Sequence, residues 1–201
     1  MSITDELLKR YPIISDQVDA EDIRIVLTEL ERALDRHIPG DIVELGCYIG
    51  TTSLFIRRLL DQRRENRAFH VYDSFEGLPE KSREDESLAG TNFQGGKLAV
   101  SKKQFMREFQ KAGLRQPIIH KGWFNELTSD DMPEQIAFAF LDGDFYESIK
   151  DSLKLVLPRV SPGGTIVIDD YAREALPGVA KAVGESNLQA QSLHGLGIVR
   201  L

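Results

Sequence analysis

Five short apolar runs, DIVELG, AFHVYD, PIIHKG, IAFAFLD and TIVIDD, alternate with segments of helical period, and this alternation limits what the chain can fold into. The runs are too brief for helices and rich in strand formers. Between them, Thr51 to Gln62, Lys102 to Ala112 and Ser148 to Leu157 carry a helical repeat. So does Ala20 to His37, where Ile23, Val26, Leu27, Leu30 and Leu34 recur at threes and fours before IPG stops the helix. PRVSPGG ends the helix after IAFAFLD, and a weak helix, Pro177 to Glu185, precedes a terminal hairpin of QAQSLHG and LGIVRL. Strands separated by helices run parallel and are covered on both faces. The expected fold is therefore α/β, a doubly wound, mostly parallel sheet with an antiparallel C-terminal hairpin strand.

Residues 1–39 are expected to form N-terminal helices that cover the crevice or make a homodimer contact, and residues 40–201 the main domain. Glu76 to Val100 has no periodic pattern and is long for a connection, which makes residues 76–100 a candidate lid. The run EKSREDE within it is expected to be a solvated face.

The charge balance narrows the partners. Lys plus Arg is 25 against 32 for Asp plus Glu, a net charge of -7, which argues against nucleic acid because a phosphate-binding face needs a basic surplus. The single cysteine, Cys47, cannot form an internal disulfide, which fits a reducing compartment. No apolar run is long enough to span a bilayer, and MSITDELLKRYP lacks a secretory apolar core, so the expected location is the cytoplasm, away from membranes.

In a doubly wound sheet, ligands sit beyond the carboxyl ends of the strands where the strand order reverses. Four of the five parallel strands end there in polar groups: Glu44 with Gly46, Asp73, Asp142, and Asp169 with Asp170. VELGCYIGTTS is a glycine turn opening a helix, where backbone amides attract an anion and glycines permit close approach. Its spacing is G-x-x-x-G, not the G-x-G-x-x-G of nicotinamide-binding folds. An acid before the first glycine repels phosphate and suits an ammonium group. S-adenosylmethionine carries both an ammonium and a carboxylate, and Asp73 is placed to bind its ribose hydroxyls. The plain alternative is a tight structural turn with an exposed acid.

ELGCYIGTTS, VYDSFEGLPE, KGWF, FLDGDFYES, GGTIVIDDY and PGVAKAV, in this order from Gly40 to about Ala182, resemble the motifs of the macrocin O-methyltransferase family. The resemblance implies a Rossmann-like class I methyltransferase with a seven-stranded sheet, dependent on S-adenosylmethionine and Mg2+, acting on a hydroxyl of a sugar or phenol. It implies cofactor contacts from Glu44, Gly46, Tyr48, Gly50, Thr52, Asp73, Ser74 and Asp142, with Trp123 near the adenine. It assigns the metal to Asp142, Asp169 and Asp170.

Carboxylates converging from adjacent strand ends would raise one another's pKa, a conflict that a divalent cation removes. Hard oxygen ligands favour magnesium, and no Cys/His cluster points to zinc. Each acid pair alone fits a solvated turn. Catechol-type methyltransferases carry a lysine three places after the first metal aspartate; here that residue is Phe145, which leaves Asp142 as the expected general base. His70 and His120 are expected to be structural, Asp144 a turn residue or a support behind the metal ligands, and Tyr146 and Tyr171 either pocket walls or packing. Two other functions compete: a metal-independent small-molecule methyltransferase, and a catalytically silent S-adenosylmethionine-binding protein.

Overall fold

A computed structural model describes residues 2–201. One seven-stranded sheet runs through it in the order β3-β2-β1-β4-β5-β7-β6. The five expected runs form β1 (Asp41–Leu45), β2 (Phe69–Asp73), β3 (Ile118–Lys121), β4 (Ile136–Leu141) and β5 (Val160–Ile168), all mutually parallel. The hairpin gives β6 (Gln191–Leu193) and β7 (Leu196–Arg200), and β7 inserts antiparallel beside β5.

Period-2 alternation sorts each strand's side chains between two helical layers. On β4, all of it buried, Phe138 and Phe140 face one layer while Ala139 and Leu141 face the other. The first layer contains α1 (Ile3–Arg10), α2 (Ala20–Asp35), α3 (Thr51–Gln62) and α4 (Lys102–Ala112), contributing Leu30, Phe55, Phe105 and Phe109. The second contains α5 (Tyr146–Val156) and α6 (Pro177–Glu185), contributing Ile149, Leu153, Val179 and Val183. Buried on both faces, the central strands are near-continuous apolar runs, as a parallel sheet requires.

Two boundaries depart from the sequence expectation. Helix α5 begins at Tyr146, two residues before Ser148, because Asp85 from a distant loop accepts the Tyr146 amide at 2.7 Å. Strand β5 begins at Val160, inside the segment expected to be only a helix stop, and pairs there with Ile136. Gly163, at φ +84°, permits the turn of backbone within that stretch.

The 76–100 segment holds a single 3-10 turn, Arg83–Asp85. EKSREDE is not a uniformly solvated face: Asp85 within it is fully buried. Its carboxylate takes hydrogen bonds from the Tyr146 and Ser82 amides and the Ser82 hydroxyl. Ser87 donates to the Glu174 carbonyl and Lys81 to that of Gly90, which ties the segment to itself and to the chain after β5. Asp85→Ala leaves a buried amide without an acceptor and should cost about 2 kcal/mol, read as a lower urea midpoint at unchanged slope. Asp85→Glu cannot rescue it, since a Cβ on Gly178 would already lie 2.0 Å from the Asp85 Oδ1 atom.

Candidate active site

The strand order reverses between β1 and β4, and a cavity of about 410 Å3 opens beyond their carboxyl ends. Glu44 of β1, Gly46 and Tyr48 of the turn after it, and Thr52 at the start of α3 line it. Asp73 and Ser74 enter from the end of β2, and Trp123 from the turn after β3. Asp142 follows β4, and Asp169 and Asp170 follow β5. Of the cofactor and metal contacts expected from sequence, only Gly50 does not line the cavity: at φ +93° it starts α3, and a Cβ there would lie 2.8 Å from the Phe105 ring. Its glycine serves helix packing.

Backbone hydrogen bonds fix the geometry. The Asp142 amide donates to the Leu45 carbonyl at 2.8 Å, and the Asp169 amide to Leu141 at 2.8 Å, which sets three chain ends side by side. Gly46 is obligatory at that contact, since its Cβ would fall 1.8 Å from the Asp142 carbonyl oxygen. Asp73 stitches the cofactor turns together: Oδ2 accepts the Cys47 amide at 2.9 Å and the Tyr48 amide at 3.3 Å, while Oδ1 accepts Phe75 at 2.6 Å. Each strand that delivers a site acid is followed by a non-glycine residue in the left-handed region: Tyr48, Phe75, Asp144 and Asp170, all between φ +47° and +59°. Strain of this kind persists where the surrounding structure over-determines it. Sequence reasoning had no signal for it beyond the turn preference of Asp.

Carboxylate oxygens of Asp142, Asp169 and Asp170 lie within 4.8 Å of one another. At an effective dielectric of about 20, each ionised pair at that distance repels by roughly 3 kcal/mol. Burial and then mutual repulsion hold the Asp142 and Asp169 carboxyls well above the ordinary range. Burial pushes Asp170 to about 6, with Arg173 opposing the shift, and Asp144 to about 8. Glu44, 1% exposed and accepting from the Ser53 hydroxyl, is pushed up to about 8 by burial and then by Asp73. An all-oxygen set of this charge is matched to a hard divalent cation, and the residues present fit one.

The remaining candidates fall outside this chemistry. The Cys47 thiol is pushed well up by burial and is inert. His70 and His120 stack at 5.4 Å with ring nitrogens 3.1 Å apart, and His120 stacks on Tyr72, away from the cavity. Tyr146 is buried with its hydroxyl on Glu185, and Tyr171 packs over Gly197; neither lines the cavity. Phe145 is buried, 1% exposed.

The profile of the macrocin O-methyltransferase (TylF) family matches residues 20–194. The chain belongs to the macrocin O-methyltransferase family. It is 36% identical over 152 residues to the 8-demethyl-8-(2,3-dimethoxy-alpha-L-rhamnosyl)-tetracenomycin-C 4'-O-methyltransferase of Streptomyces olivaceus, covering 73% of this chain and 58% of that one. It is 33% identical over 166 residues to the mycinamicin III 3''-O-methyltransferase of Micromonospora griseorubida, covering 78% and 63%. The chain thus spans about three fifths of the length of these curated relatives. The solved O-methyltransferase NovP superposes with a TM-score of 0.79 at 25% identity, covering 91% of this chain and 80% of that one. This family's sheet, with antiparallel C-terminal strands, is the one expected from sequence. Among the described residues no helix is long and apolar enough to cross a membrane.

The raised carboxyls have a measurable consequence. Each binds its proton more tightly folded than unfolded, so its stabilising contribution is complete below the ordinary carboxyl range and is lost as pH rises toward about 8. In chelator-treated protein without cofactor, the thermal midpoint should fall by a few degrees between pH 5.5 and 8. Glu44→Gln should flatten part of that slope, whereas a midpoint that rises across this range would contradict the electrostatics described here.

Proposed function

We propose that the protein is an S-adenosylmethionine-dependent O-methyltransferase that uses Mg2+ and methylates a hydroxyl of a sugar or other small-molecule acceptor. The observation that carries this is the convergence of Asp142, Asp169 and Asp170 beside the β1 turn, in a chain of this family. The names of its relatives, a rhamnosyl 4'-O- and a mycinamicin 3''-O-methyltransferase, support a glycosidic hydroxyl as acceptor.

The chain's residues divide the work. Free amides at the start of α3 meet the cofactor's carboxylate, and the Glu44 carboxylate faces its ammonium. An ammonium there restores the charge that burial suppresses on Glu44. Asp73 keeps lone pairs for the ribose hydroxyls, and the Trp123 ring offers a stacking surface for the adenine. Asp142, Asp169 and Asp170 hold the cation, whose chemistry when bound is to lower the pKa of the acceptor hydroxyl. Asp142 would take the acceptor hydroxyl's proton and keep its oxygen in line with the methyl group that the cofactor would supply, the departing sulfur keeping the electron pair of the carbon–sulfur bond. With a buried phenylalanine at position 145, no lysine is available there for this task.

Tritium-methyl transfer into a panel of glycosides and catechols tests the proposal. Activity should vanish with EDTA and return with Mg2+. Asp142→Asn should lower turnover by about 100-fold or more while cofactor affinity, followed by Trp123 fluorescence, stays within a few-fold. Turnover that survives EDTA would assign the aspartates to a metal-free mechanism. Cofactor binding without transfer to any acceptor would make the protein a silent binder.

A further inference from the structure

A second group of ligand atoms lies outside the cavity, where the N-terminus of α2 meets the β6–β7 hairpin. Asp19, Asp22 and His194 each offer one such atom, all within 4.8 Å of one another. His194 Nε2 is 3.0 Å from Asp19 Oδ2 and 3.9 Å from Asp22 Oδ1. With 175 residues between Asp19 and His194, no motif or spacing marks the group in the sequence.

Helix capping accounts for half of this arrangement. Asp19 is the N-cap of α2, and its Oδ1 accepts the Glu21 and Asp22 amides at 2.7 and 3.0 Å. Asp22 returns the bond, its Oδ2 accepting the Asp19 amide at 2.9 Å. The box uses one oxygen of each acid and fixes both side chains, as supporting hydrogen bonds do for metal ligands. The other oxygen of each faces His194. Asp22 is only 3% exposed, yet its Oδ1 is buried with no hydrogen-bond partner. A capping box does not call for a buried acceptor left bare, and such an atom is costly. The Arg173 guanidinium stands 3.7 Å from it, beyond hydrogen-bond reach, and is shared with Asp170 at 3.5 Å.

We infer that Asp19, Asp22 and His194 form a second cation site, for a zinc-class ion, that pins α2 to the β6–β7 hairpin. Bonds of about 2.0 to 2.1 Å at tetrahedral angles put ligand atoms roughly 3.3 Å apart. The separations of 3.0 and 3.9 Å bracket that spacing. One imidazole with two carboxylates suits zinc, and three protein ligands leave a fourth position for water. Mn2+, lowest in the first-row affinity order, should not compete with Arg173 there. The ion takes the place of the proton between His194 and Asp19, and Arg173 keeps Asp170 as its partner. Ser15, Gln17 and Val18, just before the site, line the cavity, so the ion would hold one wall of its mouth in place.

Titrating Zn2+ into the full chain carrying Asp169→Asn, which disables the triad, isolates the site. Calorimetry should show one Zn2+ per chain. His194→Asn keeps a residue suited to the left-handed turn at φ +51° and removes the imidazole. It should weaken binding at least about tenfold, and Asp22→Asn should do the same. Arg173→Gln, which removes a competing positive charge, should leave binding equal or tighter. Crystals soaked in Zn2+ should place an anomalous peak about 2.0 to 2.2 Å from His194 Nε2 and from an oxygen of each acid. No peak there with about 1 mM Zn2+ present, or binding in solution that neither His194→Asn nor Asp22→Asn weakens, overturns the site. Loss of binding in Arg173→Gln overturns it too, since Arg173 would then be building the cluster and not competing with the ion. None of these results bears on the methyl transfer proposed above.

Discussion

The structure depends on the lateral register of three parallel strands. Hydrogen bonds from Asp142 to Leu45 and from Asp169 to Leu141 bring the ends of β1, β4 and β5 to one level. The side chains emerging there are carboxylates, with oxygens of Asp142, Asp169 and Asp170 within 4.8 Å of one another. Apolar burial of β4 and β5 on both faces holds the strands in that register, so the core opposes the repulsion at its own edge. Such a site is unfavourable when empty and is relieved by positive charge. The function proposed above would supply such charges: a sulfonium, an ammonium and a divalent cation.

The same register explains Gly46. A turn that passes against the Asp142 carbonyl admits no Cβ, so the turn after β1 and the acids after β4 share one close contact. Asp73 completes the link by accepting amides from the turn after β1 and from its own. The residues proposed to hold cofactor and cation thus belong to one unit built on strand ends, the arrangement that in-line transfer between two bound groups demands.

Most of this was legible in the sequence because it is local or periodic. Strand runs, helix spans such as Thr51–Gln62 and Lys102–Ala112, and acids at strand ends follow from period and position. Convergence of the aspartates followed from topology, since strands four and five of a doubly wound sheet lie side by side. What escaped was long-range and chemical. Asp85 sits in a run of charges that composition assigns to solvent, yet its partner is the Tyr146 amide, 61 residues away. The early start of β5 depends on pairing with Ile136 and Leu201, which no window of sequence contains. Left-handed backbone at Tyr48 and Phe75 is imposed by tertiary contacts, because aromatic residues give no local reason for it. The family's profile matches residues 20–194, which hold the sheet and its cavity, and the chain spans about three fifths of the length of these curated relatives.

Direct observation of the ion tests the central claim. Crystals grown with S-adenosylhomocysteine and Mn2+ as the anomalous scatterer should show one peak per chain, with oxygens of Asp142, Asp169 and Asp170 at about 2.1 to 2.2 Å, and Asp169→Asn should abolish it. Aspartates turned away from an empty centre, or manganese bound elsewhere and unaffected by that substitution, would contradict the account.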